Sequence, residues 1–370
     1  MNEFKQRICE LQRLMTSQGY DLAVVSWTDQ MRYLTGYVEN GHKRLLVLLV
    51  PSTGEPAFVV PSLNEQAARA NRAGIERIVP WQDSDGWAAS VIDLLGEMGI
   101  PDRAKVLVDD ELHAGHLISL VEIVPGLQVV AADEAISMLR RIKNTVELDW
   151  MQRAADDIDA VADEVMGSLV TGITERAVQQ MVLDELATRG VEPGFTPLVC
   201  FGSNGAMPHH DSNNTPLHVG DVVVLDIGSM YNGYHSDITR TFSFGSPAFP
   251  EAVAVYDSVF RANHAARALV APGVTCEAVD DAARRVITHD GFGDFFIHRT
   301  GHGIGMSGHE PPYIVKGNDL ALAPGMCFSV EPGIYLPSRF GVRIEVIVAV
   351  TESGVRSLNV EPSAELVILR

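Results

Sequence analysis

Apolar residues recur along the first segment at steps of four, three and four, through Phe4, Ile8, Leu11 and Met15, while Lys5, Arg7 and Arg13 fall off that stripe. The spacing predicts a helix over about residues 3 to 18, stopped at Gly19. Short apolar runs follow from Asp21 (DLAVVSW), Arg44 (RLLVLLVP), Pro56 (PAFVVP) and Lys105 (KVLVDD), with a helical period between Trp87 and Met98. Runs of this length bounded by turn residues predict strands, so the first part reads as an α/β unit with a mixed sheet and covering helices. No motif in it carries chemistry, and a scaffold or assembly surface is expected. Between Leu139 and Leu169 the pattern predicts one long charged helix, which sets a boundary near Arg140 and domains over 1–140 and 141–370.

The segment DVVVLDIGSMYNGYHSDITRTFSFG, from Asp221, is the most informative. Val222 to Ile227 is a nearly continuous apolar run, as in a strand buried on both faces, yet Asp226 lies inside it. Asn232-Gly233 is the pair favoured in a two-residue type I′ turn, because both positions need positive φ. A turn centred there sets Asp226 opposite Thr239 and Asp237 opposite Gly228. Asp226 and Asp237 then share a face as diagonal neighbours, roughly 7 Å apart or less. Two such charges repel, so either one is protonated or a cation lies between them. An Asp capping a turn, or paired with Arg240, is the blander account of either residue alone.

A second cluster, HRTGHGIGMSGHEPP, carries His298, His302 and His309 in a stretch that reads as a glycine-rich loop. GIGMSG within it matches the dinucleotide fingerprint only formally, since Pro311 and Pro312 remove the helix that would hold a pyrophosphate. Glycines there would let the backbone bring a histidine close to a metal. Two further acids sit in strand-like contexts, Glu331 in MCFSVEPGIYL and Glu345 in GVRIEVIVAV. Alternation puts Cys327, Ser329 and Glu331 on one face, and Arg343, Glu345 and Ile347 on another, where Arg343 could neutralise Glu345. With Asp226, Asp237 and a histidine, these acids form an oxygen-rich set able to hold two divalent ions about 3.5 to 4 Å apart, of the Mn²⁺, Co²⁺, Fe²⁺ or Zn²⁺ kind rather than copper.

Composition narrows the partners. The 370 residues are 46% hydrophobic and 21% charged, which excludes disorder and coiled coil. A net charge of −20 argues against nucleic acid and anionic membranes. The four cysteines form no CxxC pair, the longest apolar run is far short of a membrane helix, and no secretory signal is read at the N-terminus, so a cytoplasmic protein is expected.

These motifs resemble the pita-bread metallopeptidases, within them the Xaa-Pro dipeptidase (prolidase) and aminopeptidase P branch. The resemblance covers the chain from RRIKNTVELDWM onward and, more loosely, the first domain, which looks like the creatinase-type one. It implies an α+β protein: a creatinase-like α/β domain, then a strongly curved antiparallel sheet backed by helices. It implies Asp226, Asp237, His302, Glu331 and Glu345 as metal ligands, with Asp226 on one ion, His302 and Glu331 on the other, and Asp237 and Glu345 bridging. FGSNGAMPHH brings a substrate-site histidine onto His209; His309 matches a second, and Arg343 the basic residue near the substrate or the bridging Glu. His210 and His298 receive no role.

The implied cofactors are two divalent ions per chain, Mn²⁺ or Co²⁺ first, Zn²⁺ or Fe²⁺ next. The implied reaction is attack of a metal-bridging hydroxide on an Xaa-Pro bond, with Glu331 relaying a proton and His309 stabilising the oxyanion. A homodimer acting on small Xaa-Pro peptides is expected. An aminopeptidase on longer peptides, a small-molecule amidohydrolase and a non-catalytic binding module on the same fold are the competing readings.

Overall fold

Asn2 starts the first helix, Glu3–Gln18, by accepting the Lys5 amide, and Gly19 ends it at φ 72°. The computed structural model describes residues 2–369. Arg7, expected outside the buried stripe, is buried: its guanidinium stacks 4.1 Å from the Tyr33 ring centroid and donates to the Tyr33 carbonyl. A flat cation can be buried this way because the ring face and a carbonyl replace water.

The chain divides into two compact units, Met1–Arg140 and Arg141–Arg370. The first is built on β1 (Leu22–Ser26), β2 (Val47–Pro51), β3 (Ala57–Pro61), β4 (Ile78–Trp81), β5 (Lys105–Val108) and β6 (Gln128–Ala131), in the order β4-β3-β2-β1-β5-β6. The β1–β2 and β2–β3 pairs are antiparallel and the others parallel, so the sheet is mixed as the pattern predicts. β1, β2 and β3 are buried throughout, which accounts for their unbroken apolar runs.

The charged stretch from Leu139 is two helices, not one. Asp133–Arg140 closes the first unit and Thr145–Gly167 opens the second. Asn144 and Glu147 form a capping box, each side chain accepting the other's backbone amide at 3.0 and 2.8 Å. Such a reciprocal cap satisfies two otherwise unpaired N–H groups and fixes where the second helix begins.

In the second unit the expected curved sheet is divided into ladders. One has strands in the order Val367–Leu369, Ile238–Phe244, Val222–Ile227, Leu198–Phe201. Helices Thr145–Gly167 and Glu175–Thr188 share a core with it through Ile158, Val182, Val223, Leu225 and Phe242. A five-stranded ladder contains Glu310–Ile314, Gly301–Gly303, Cys327–Val330 and Val346–Val350 in that order, and a two-stranded one pairs Gly333–Leu336 with Phe340–Arg343. Helices Ala252–Leu269 and Cys276–His289 share their core through Val259, Ala283, Phe328 and Val348.

Candidate metal centre

The hairpin has the register read from its turn: Thr239 pairs with Asp226 and Ile238 with Ile227. Asn232 and Gly233 both have positive φ, 50° and 85°. Asp226 lies within its strand, whereas the other three acids flank strand ends. Asp237 immediately precedes Ile238–Phe244, Glu331 follows Cys327–Val330, and Glu345 precedes Val346–Val350. Two of these backbone amides remain bonded there: Glu331 N donates to Thr300 O at 2.8 Å and Glu345 N to Thr239 O at 3.2 Å. Those two side chains can therefore turn inward without orphaning their own amide.

His302 lies in a strand rather than the loop expected. Its flanking glycines serve the sheet: a Cβ on Gly301 would fall 1.8 Å from Ser329 O, and one on Gly303 would fall 2.4 Å from Glu310 O. No helix follows GIGMSG, because Glu310–Ile314 is a strand. The His302 ring is fixed by Nδ1–H donating to the Gly303 carbonyl at 3.0 Å. Its Nε2 lone pair then faces carboxylates, 3.4 Å from Glu331 Oε1 and 4.0 Å from Asp237 Oδ2. Burial, with His309 and Arg299 nearby, holds this imidazole neutral, its pKa lowered to about 3.

The five expected ligands converge. Ligand atoms of Asp226, Asp237 and Glu345 lie within 4.8 Å of one another, as do those of His302, Glu331 and Glu345. His309, expected only on the substrate side, forms a third such group with Asp237 and His302, and its ring centroid is 3.8 Å from that of His302. Burial raises Asp237 and Glu345 well above the carboxylate range, and neighbouring carboxylates raise both further. Burial likewise pushes Glu331 up to about 7, while Arg343 opposes the shift.

The hydrogen bonds around the acids are one-sided. Arg343 Nη2 donates to Asp226 Oδ2 at 2.5 Å, and Thr239 Oγ1 donates to Glu345 Oε2 at 2.7 Å. Asp226 Oδ1, Asp237 Oδ1 and Glu345 Oε1 are buried with no donor. Buried oxygens without donors, facing an imidazole lone pair, are costly unless a cation fills the space between them. The donor set of four carboxylates and an imidazole, without thiolate, fits hard or borderline divalent ions.

Neither pairing weighed for the arginines is seen. Arg240 pairs with Asp159 at 3.0 Å instead of an acid of the hairpin. Arg343 closes the strand Phe340–Arg343, while Glu345 lies outside it. Its guanidinium reaches Asp226, Thr239 Oγ1 (3.0 Å), Tyr335 Oη (3.0 Å) and Pro208 O (3.3 Å), so its hydrogen-bond path to Glu345 runs through Thr239. Its chief local work is to orient Asp226 and to tie down the segment carrying His209.

A cavity of about 790 Å³ opens onto the cluster, lined also by His209, His309, Phe195, His235, His298 and Arg299. His298 Nδ1 meets Arg299 O at 2.7 Å and Nε2 meets Tyr335 Oη at 2.9 Å, so the ring is held in the wall. Arg299 stacks 4.4 Å from the Tyr313 ring centroid and forms no ion pair among the described residues. Sequence reasoning missed Thr239 and Ser329 as supports. Both were in reach: Thr239 faces Asp226 across the hairpin, and Ser329 alternates with Glu331, to which it donates at 3.2 Å. Phe195, His235 and Arg299 carried no comparable signal.

Comparison with known proteins gives this geometry a lineage. Residues 149–352 match the model of metallopeptidase family M24, and residues 7–142 match the creatinase/prolidase N-terminal domain. The chain is 42% identical to a probable dipeptidase PepE of Mycobacterium tuberculosis over 96% of its own length and 92% of the relative's. It is 33% identical to an Xaa-Pro dipeptidase of Lactobacillus helveticus, over 95% of each. The crystal structure of a recombinant prolidase from Thermococcus sibiricus superimposes with a TM-score of 0.94 at 34% identity, covering 100% of both chains. With a creatinase/prolidase-type first domain and a pita-bread second one, the chain belongs to metallopeptidase family M24 and is a peptidase.

Proposed function

We propose that this peptidase is an Xaa-Pro dipeptidase working with two divalent cations. The observation that carries the reading is the set of donorless oxygens on Asp226, Asp237 and Glu345, gathered with the His302 lone pair at the floor of one cavity. Asp226, Asp237, His302, Glu331 and Glu345 are the residues that would hold the ions, Mn²⁺ or Co²⁺ before Zn²⁺ or Fe²⁺. Two ions there supply an acidified water at neutral pH and a polarised scissile carbonyl.

The chain's own groups supply the rest. Glu331 takes the proton of the attacking water and passes it to the leaving nitrogen as the C–N bond breaks. The His309 ring, exposed at the cavity, donates to the oxygen that gains charge on the former carbonyl. His209, which also lines the cavity, contacts the substrate. A proline nitrogen in peptide linkage has no N–H, so the site must be selective without that donor.

The cation of Arg299 favours a dipeptide over a longer peptide. Free of an ion pair among the described residues, it offers a carboxylate two parallel N–H donors from the cavity lining. In a dipeptide the carboxylate lies on the residue after the scissile bond, whereas in a longer peptide it lies farther away. Domains at 1–140 and 141–370, a homodimer and a cytoplasmic location complete the proposal.

The deciding experiment is proline release from a panel of Xaa-Pro dipeptides and tripeptides by protein loaded with each metal, with elemental analysis of the same samples. Two ions per chain and turnover of dipeptides are expected. Preference for tripeptides would move the assignment to an Xaa-Pro aminopeptidase, and no turnover with any metal would sink both.

A further inference from the structure

His210 follows the cavity-lining His209, and the mechanism gives it no part. Its Nε2 lies 2.8 Å from Oε2 of Glu175, a carboxylate at the start of the helix Glu175–Thr188 with no exposed surface. Among the described residues Glu175 receives four hydrogen bonds, each from residues 201–213. Phe201 N (2.8 Å) and Asn204 Nδ2 (2.9 Å) donate to Oε1, while His210 Nε2 and Asn213 N (3.0 Å) donate to Oε2. No lysine or arginine pairs with Glu175 among the described residues, so His210 is the basic group in the clamp.

Those donors span the segment that leaves the strand Leu198–Phe201, passes through the short helical turn Gly202–Ala206 and presents Pro208 and His209 to the cavity. Loop backbone usually lies at the surface and varies in position. Here a buried carboxylate binds the segment at both ends and beside His209. A carboxylate with all lone pairs engaged by fixed donors is a rigid anchor, and losing one partner leaves a desolvated charge under-satisfied. On the other side, Arg343 Nη1 holds Pro208 O at 3.3 Å.

We propose that Glu175 and His210 are positioning residues that fix His209 at the mouth of the cavity, an inference that rests on the active-site reading of His209. Neither touches substrate. Their effect passes through the placement of the neighbouring ring, where an error of about 1 Å can cost on the order of a hundredfold in rate.

The test uses the metal-loaded full chain and three substitutions. His210→Ala removes the donor and His210→Gln keeps an N–H near the Nε2 position. Glu175→Gln keeps the shape of the anchor and loses half its acceptors. For His210→Ala and Glu175→Gln, kcat/KM on an Xaa-Pro dipeptide should fall roughly ten- to a hundredfold with metal content unchanged. His210→Gln should stay within about threefold of wild type, a rescue that loss of packing alone would not give. Equal impairment of His210→Ala and His210→Gln, or no impairment of either, overturns the proposal. Crystal structures of His210→Ala and Glu175→Gln supply a readout independent of turnover. His209 should move while Asp226, Asp237, Glu331 and Glu345 stay in place, and an unmoved His209 in both overturns the proposal even if the wild-type chain cleaves no dipeptide.

Discussion

The Nε2 of His302 and the Oε1 of Glu331 face each other at 3.4 Å as two acceptors, because the one proton of the neutral imidazole is committed to the Gly303 carbonyl on Nδ1. With Asp226 Oδ1, Asp237 Oδ1 and Glu345 Oε1 buried without any donor, the pocket is stable only when it holds cations or takes up protons.

Chelation should therefore destabilise the second unit. A ligand bound to the native state at a thousand times its Kd contributes about 4 kcal/mol, and thermal scans should show a lower melting temperature in chelator, restored by Mn²⁺ or Co²⁺. A melting temperature indifferent to both treatments would contradict a structural role for the cations.

Thr239 is the support most easily isolated. It is fully buried, donates to Glu345 Oε2 and accepts from Arg343 Nε, so Thr239→Val keeps the volume while freeing Glu345 to rotate. Metal affinity measured by calorimetry should weaken about ten- to a hundredfold, the usual cost of losing an outer partner. An unchanged affinity would mean that packing alone orients Glu345.

Arg299→Gln probes the proposed carboxylate contact. The variant should lose about ten- to a hundredfold in kcat/KM on an Xaa-Pro dipeptide, the scale of a charge-assisted pair. It should lose little on the same dipeptide with its C-terminus amidated. A parallel loss on both substrates would show that Arg299 shapes the wall without reading charge.

The first unit has its own pH signature. Asp109 is buried, and desolvation raises its carboxyl to about 6 despite hydrogen bonds from Thr28 Oγ1, Glu111 N and Ser26 N. The folded chain thus keeps a proton that the unfolded chain releases near pH 4. The stabilisation is complete below that pH, is lost as pH rises through about 6, and amounts to on the order of 3 kcal/mol. Denaturant titrations between pH 4 and 7 should show this decline in the wild type, and a flatter profile for Asp109→Asn. Identical slopes would mean that Asp109 ionises alike in both states.

Local rules made much of the centre legible. Asn232-Gly233 demanded a tight turn, the turn set the register, and period-two alternation then put Asp226 and Asp237 on one face without any distant contact. The helix stop at Gly19 and the buried strands of the first unit follow equally from neighbouring residues. The long helix from Leu139 was misread because its charge pattern runs through the Asn144–Glu147 cap, a stop visible only as a specific pair of hydrogen bonds.

The amino-acid sequence by itself determined which residues have ligand chemistry and how the hairpin aligns, since turn geometry and strand alternation act over a few residues. Tertiary structure alone decided which acceptors remained open. Arg343 chose Asp226 over Glu345, His302 spent its proton on Gly303, and Glu175 gathered a segment from across the unit. Those outcomes depend on competition among donors that only packing brings within reach, and no local pattern ranks them.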